Sequence, residues 1–228
     1  MTQADLFSDF GVDGVKVHSR FQLAGEGSIP VSTLHLWFGE TDAATELVLK
    51  YHYSQRWPSN VQMVMTAHSG GGLFGNKGDA LAAVVYSIPP TRWSEPVIEL
   101  SRLVRRDDSR LPLSWLIAHS IRAIRRKGIA DLLVSFADKQ QGHHGGVYRA
   151  SGWNYAGLRK PASEGVIVGG EFVPGRSAVG RWGTRSVSRL ADIGVTAEDK
   201  MDDGKHLYWL AVTPKGRQQA AALELEAL

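Results

Sequence analysis

The chain has no cysteine among its 228 residues. That excludes disulfide staples, thiolate metal sites and a cysteine nucleophile, and leaves histidine, carboxylate, tyrosine or water as ligands for any metal. No apolar run approaches the ~20 residues of a membrane-spanning helix. The opening stretch MTQADLFSDF is acidic and lacks the apolar segment of a signal peptide, so a soluble, cytoplasmic protein is expected. A phosphate-binding P-loop is absent too. The glycine-rich stretch SGGGLFGNKG at 69–78 has no adjacent Gly-Lys-Ser/Thr and lies between two strand-like runs, so it reads as a hairpin tip. No repeat or linker interrupts the chain, and 43% hydrophobic residues can fill one core. The expected organisation is a catalytic core over 1–158 with an appendage over 159–228, too small for a core of its own.

Charge is unevenly placed. The net charge is only +3, yet residues 102–127 hold eight Lys/Arg against Asp107 and Asp108 alone. A second cluster, Arg176, Arg181, Arg185 and Arg189, has no acidic residue between its members. Basic stripes of this kind suit phosphate, from a nucleotide cofactor or from nucleic acid. For the run Arg122 to Lys127 a solvated helix face is an equal alternative.

The most informative stretch is 96–155. Alternation predicts a strand over 96–104, with Ile98, Leu100 and Val104 on one face and Arg102 sharing it. Pro112 suits the first position of a helix to Lys127, where Leu113, Leu116, Ile117, Ser120, Ile121 and Ile124 recur at helical spacing and Gly128 ends it. The run at 131–137 is apolar on both faces, as expected of an interior parallel strand. Ligands of open sheets sit beyond the carboxyl ends of such strands, which points to the loop 105–110 and to the segment 138–144. In and beside that first loop Arg102, Arg105, Arg106, Ser109, Arg110 and Ser114 are expected phosphate binders, through guanidinium forks and first-turn amides. An ion-pair role with Asp107 and Asp108 competes for one or two of them. Elsewhere a helix is expected over 42–53, strands over 15–23, 33–38, 61–67, 80–86 and 205–212, a hairpin at 165–173, a short helix at 186–193 and a loose tail after Pro214.

Two resemblances attach to these residues. Pro112 to Lys127 and Tyr148-Arg149-Ala150-Ser151-Gly152-Trp153 resemble the pyrophosphate helix and the Tyr…Gly-aromatic signature of the GNAT-type N-acetyltransferase fold. The usual glycine-rich loop is replaced by Arg105-Arg106-Asp107-Asp108-Ser109-Arg110. Over roughly residues 45–215 the chain also resembles the Mom family of bacteriophage DNA-adenine modification proteins. The matching pieces are Tyr51-His52-Tyr53-Ser54, the ELSRLVRRDD strand end, LLVSFADKQQGHHGGVYRASGW, a hairpin containing Pro174-Gly175-Arg176-Ser177, and Lys205-His206-Leu207-Tyr208.

The resemblance implies an α/β fold with a central mixed sheet flanked by helices, and a reaction at N6 of adenine in double-stranded DNA. It implies acetyl-CoA or a related acyl-CoA as donor, and a methylcarbamoyl (carbamoylmethyl) product that shields phage DNA from restriction. His52, Tyr53, Asp138 and Tyr148 are the implied catalytic residues. Tyr148 matches the tyrosine that protonates a departing thiolate, and His52, Tyr53 and Asp138 are an implied site for Fe(II) or Zn(II). The bland readings are a structural His52, an Asp138 that caps the turn after its strand, and a Tyr148 packed in the core. Under the DNA reading, Arg176, Arg181, Arg185 and Arg189 contact the duplex, and Trp57, Trp93, Trp153 or Trp182 could stack a base, with none singled out. No membrane partner is expected, and the sequence leaves a homodimer open. The rival functions are an ordinary N-acetyltransferase for a small amine or protein, and a non-catalytic DNA-binding protein.

Overall fold

The computed structural model describes residues 15–17, 34–69, 78–90 and 93–225. In chain order its elements are β1 (Val15–Val17), β2 (Leu34–Phe38), α1 (Thr41–Tyr51), β3 (Val61–His68), β4 (Ala80–Ser87), β5 (Ile98–Arg105), α2 (Leu113–Lys127), β6 (Leu132–Asp138), a 3-10 turn (Lys139–Gln141), α3 (Gly146–Ala150), β7 (Asn154–Leu158), β8 (Ser163–Val168), β9 (Glu171–Pro174), α4 (Gly175–Trp182), α5 (Val187–Asp192), β10 (Ala197–Met201), β11 (Lys205–Ala211) and α6 (Pro214–Ala222). Eight strands form one sheet in the order β1-β2-β3-β4-β5-β6-β11-β7, and β10-β8-β9 form a second. β1 to β5 pair antiparallel in sequence, whereas β5 and β6 are parallel, so the sheet is mixed, as expected. The chain divides into two compact units, one of 1–136, 146–156 and 208–228, the other of 137–145 and 157–207.

In the first unit, β3 and β4 run through the middle of the sheet, and Met63, Val64, Met65, Val84 and Val85 are fully buried. α1 turns Ala44, Leu47 and Val48 onto Val64, Ala83, Val85 and Val104. α2 covers the opposite face. Its Ser120 Oγ lies 2.7 Å from the hydroxyl of Tyr86, the residue next to Val85 and therefore on the other side of the strand. The 3.6-residue spacing of the apolar positions of α2 buries Leu116, Ile117, Ile121 and Ile124. Gly128, at φ 61°, then stops the helix by donating its N–H to the carbonyls of Ile124 and Arg125.

The register between β4 and β5 slips by one residue. Val85 faces Arg102, but Tyr86 faces Leu100, which makes Ser101 the extra residue of a bulge. Its Oγ donates to the carbonyl of Val85 at 3.1 Å. Facing residues of an antiparallel pair share a side of the sheet. Arg102 therefore lies with Val104 on the α1 side and Leu100 lies with Tyr86 on the α2 side, which corrects the single face expected from simple alternation. Glu99, opposite Ser87, is on the α1 side as well.

In the second unit, β8 and β9 form the expected hairpin, turned by Gly169 and Gly170, both at positive φ. Val166 of this sheet packs on Ala178 of α4 and Leu190 of α5. Of Pro174-Gly175-Arg176-Ser177 only Pro174, the last residue of β9, belongs to the hairpin; it also stands at the N-cap of α4, whose first turn holds the other three. Strands β7 and β10 are unheralded by strong alternation. Residues 18–23 of the expected first strand and 70–77 of the expected hairpin tip lie outside the described residues. At the edge of that tip, the Ser69 amide donates to the carbonyl of Asp79 at 3.0 Å.

The tail expected to be loose is a helix. Thr213 caps α6 by accepting from the Gly216 amide, with Pro214 at the first helical position. Thr213 Oγ1 also donates to Asp131 Oδ1 at 2.7 Å, and the Val212 amide donates to the Asp131 carbonyl at 2.8 Å. Gly216 is buried here, and a Cβ on it would sit 1.9 Å from the Asp131 carbonyl oxygen. Gly216→Ala must therefore push α6 away from the start of β6. We expect it to cost about 1–3 kcal/mol, read as a lower urea midpoint at unchanged m-value.

Candidate functional site

The parallel ladder between β5 and β6 comprises two pairs, Ile98 with Leu133 and Glu99 with Val134. Just past it, the buried Ser135 donates its hydroxyl to the Leu100 carbonyl at 2.8 Å. Beyond that bond the remaining residues of β5 have no ladder to β6.

Tyr148 reaches this point from α3 through a local rule. The helix ends with the Trp153 amide donating to the Tyr148 carbonyl at 3.0 Å, and that of Gly152 donating to the Arg149 carbonyl at 3.0 Å, with Gly152 at φ 77°. This is the Schellman arrangement, which brings the residue after the glycine back over the helix. It sets the Trp153 ring 5.4 Å from that of Tyr148, and Tyr208 of β11 lies 5.2 Å away on another side. The Tyr-x-x-x-Gly-Trp spacing is thus the spacing of one helix end. Tyr148 is 8% exposed and hydrogen-bonded to Ser135. Burial pushes its phenol up to about 12. The Ser135 bond opposes that shift, and Tyr53, Glu99 and Tyr208 add to it.

Tyr53 and His52 follow directly on α1. Their rings stack at 4.4 Å and 30°, and Tyr53 is 49% exposed. Arg102 donates from Nε to the Arg56 carbonyl at 3.0 Å and from Nη1 to the Ser101 carbonyl at 2.6 Å. Burial lowers its pKa, against the pull of the nearby Tyr53 and Glu99. Tyr53, Glu99, Arg102 and Tyr148 are thereby one electrostatic neighbourhood. Glu99 and Ser135 are its members that sequence reasoning missed. Only the bulge at Ser101 carries Glu99 to the side of Arg102, because residues three apart on a regular strand face opposite ways.

The expected phosphate binders divide. Arg105 Nη1 donates to the Leu111 carbonyl at 3.0 Å, and Ser109, buried, accepts from the Leu111 amide at 3.2 Å. Arg106 pairs with Asp108 at 2.6 Å and Asp79 at 3.2 Å. These bonds hold the 105–111 loop in shape, and for Arg106 the competing ion-pair reading is the arrangement seen. Arg110 is exposed and Ser114 half-buried. The first turn of α2 has no acidic residue and no side-chain cap, so its amides and dipole can receive an anion. That chemistry fits a pyrophosphate held there by Ser114 and Arg110.

A metal does not fit as well. The Ser54 amide donates to His52 Nδ1 at 3.1 Å, so a neutral ring carries its proton on Nε2 and offers no lone pair in this geometry. Asp138 lies in the second unit, where its Oδ1 caps the 3-10 turn by accepting from the Gln140 amide at 2.9 Å. Among the described residues, no group of three or more His, Cys, Asp or Glu could hold a metal ion. His143 and His144 are both exposed.

The second cluster of arginines belongs to the second unit. Arg176 and Arg181 lie on α4, Arg185 in the following turn and Arg189 on α5, all exposed. Arg181 stacks on Trp182 at 4.9 Å, and Arg185 reaches the Ser163 carbonyl at 3.5 Å. A cleft of about 800 Å³ beside them is lined by Ser163, Thr184, Arg185, Ser186, Ser188 and Asp199.

The state of Tyr148 can be checked by titration. A phenol is neutral when protonated, so a folded-state pKa above the ordinary 10 leaves stability intact below pH 10 and removes it as pH climbs towards 12. Tyrosinate absorbance should rise late for this residue. Tyr148→Phe should remove that late amplitude while costing about 1 kcal/mol, the worth of the Ser135 bond.

Among solved structures, the chain is similar to a Bacillus subtilis acetyltransferase in complex with CoA, at 12% identity and TM-score 0.45, covering 78% of this chain and 99% of that one. It is also similar to an acetyltransferase described under the GNAT family from Desulfovibrio desulfuricans, at 12% identity and TM-score 0.45, covering 79% and 100%. A third is an N-acetyltransferase from Staphylococcus aureus Mu50, at 8% identity and TM-score 0.42, covering 79% and 99%. No curated protein matches the chain. The family model described as the Mom protein family matches residues 36–226, and the chain belongs to that family.

Proposed function

We infer that this protein modifies the N6 amino group of adenine in double-stranded DNA, with a group drawn from an acyl-CoA-type donor. The observation that carries the reading is membership of the Mom family over nearly the whole chain. The geometry supports a transfer reaction. Bound at the first turn of α2, such a donor would supply an activated two-carbon unit on sulfur, and Ser114, Arg110 and the helix amides would hold its pyrophosphate. Tyr148, protonated at neutral pH, has a proton to give to a departing thiolate once it turns from Ser135, whose own hydroxyl is donated to the Leu100 carbonyl. Attack of N6 on a carbonyl carbon gives an acetylated adenine. The carbamoylmethyl product joins through the methyl carbon instead and needs a separate nitrogen donor, so the modified nucleoside itself distinguishes the two.

Arg176, Arg181, Arg185 and Arg189 bind the DNA backbone in this reading, supported by their exposure and by the absence of an acid among them. An N-acetyltransferase for a small amine would have no use for such a stripe.

Mass spectrometry of nucleosides from host DNA after expression should reveal a new N6-substituted adenine. Tyr148→Phe should lower its yield by about 10²-fold or more, the usual worth of a positioned acid, while duplex affinity stays unchanged. Unmodified adenine in cells that make the folded wild-type protein would refute the reading. The triple variant Arg176→Gln, Arg181→Gln, Arg189→Gln should flatten the slope of log affinity against log salt by about 0.9 for each phosphate it no longer neutralises.

A further inference from the structure

The pair His52–Tyr53 is built as a stack and presented to solvent. The Ser54 amide pins His52 through Nδ1, and the Gln55 amide closes the turn onto the His52 carbonyl at 2.9 Å. Tyr53 lies on this fixed ring and leaves half its surface exposed. Its phenol interacts electrostatically with Arg102 and Tyr148, and Glu99 interacts with both of those residues. A large aromatic ring left in water beside half-buried charged groups loses hydrophobic stabilisation that a core position would give it. A flat apolar partner covering it would recover that stabilisation.

We propose that the His52–Tyr53 stack is the platform on which an extruded adenine lies, with Glu99 accepting a hydrogen bond from its N6 amino group. The assignment rests on the adenine-modification reading, because N6 inside a base pair is out of reach until the nucleotide leaves the helix. Stacking accepts any base, so a second interaction must choose. A carboxylate is acceptor-only and has room for several donors, which suits the amino group of adenine and rejects the carbonyl that thymine presents at the corresponding position. The bulge at Ser101 puts Glu99 on the face of the sheet that carries α1, and the stack follows that helix directly. The phenolic oxygen of Tyr53 has no part in this role; only the ring does.

The test uses the full-length protein and short single-stranded oligonucleotides, measured by fluorescence anisotropy. One carries a single adenine among thymines, one carries unsubstituted purine in that place, and one is all thymine. Wild type should bind the adenine strand about tenfold more tightly than the thymine strand, within the usual worth of one base stacked on an aromatic ring. Tyr53→Leu should erase that preference and Tyr53→Phe should keep it. Glu99→Ala should bind the adenine and purine strands equally, whereas wild type should favour adenine. Both sites are at or near the surface, and thermal melts check that each variant folds. Loss of the preference in Tyr53→Phe as complete as in Tyr53→Leu would overturn the platform, as would Tyr53→Leu binding adenine like wild type. An intact preference with no modified adenine in host DNA would sustain the platform while removing the transfer reaction.

Discussion

One extra residue in β5 sets the geometry of the first unit. On a regular strand Glu99 and Arg102 would face opposite layers, one under α1 and the other under α2. The slip between Val85 and Tyr86 absorbs Ser101, whose hydroxyl satisfies the Val85 carbonyl that the irregularity would otherwise leave short of a partner. After the slip both charged residues share the α1 side, with Val104 still turned into the core. The same stretch is where β5 loses its ladder to β6 after two pairs. Ser135 then ties the strands by a side-chain bond to Leu100, in place of the missing backbone ladder.

The second constraint is the end of α3. A Schellman turn fixes the spacing between a helix residue, a left-handed glycine and the residue after it. Here those are Tyr148, Gly152 and Trp153, so the aromatic packing behind Tyr148 follows from backbone hydrogen bonds rather than from side-chain fit alone. With Trp153 and Tyr208 filling two sides and Ser135 at the hydroxyl, the phenol is both immobile and dry. Burial of this kind raises the pKa of the phenol.

Much of this was legible in the residues. The helix from Pro112 to Gly128, the apolar run of β6, the parallel pairing of β5 with β6 and the helix end that follows Tyr148 all rest on local signals: cap, period and spacing. The places that were not legible have a common cause. A bulge carries no residue signature, so Glu99 could not be placed beside Arg102. Strands β7 and β10 are short and half-exposed, without a clean alternation of burial. The helix α6 looked loose because its few apolar residues are small; what anchors it is Thr213 on Asp131 and the close approach of Gly216. These are tertiary interactions with no echo in the spacing of the tail itself.

Charge counting shows the same limit more sharply. Counted in the sequence, Arg105 and Arg106 stand with Arg102, Ser109, Arg110 and Ser114 as equal candidates for phosphate. In the fold Arg106 is already neutralised by Asp108 and Asp79, and Arg105 is bonded to a backbone carbonyl within its own loop. An arginine whose charge is met by a carboxylate must give up that partner before it can neutralise a phosphate and release the counterions condensed there, and so adds little salt-dependent affinity. Arg176, Arg181 and Arg189 are exposed on helices that offer them no acid between. Arg105 and Arg106 thus shape a loop, whereas Arg176, Arg181 and Arg189 are exposed, and the difference lies in where Asp79 and Asp108 fall in space rather than in how many arginines either stretch contains.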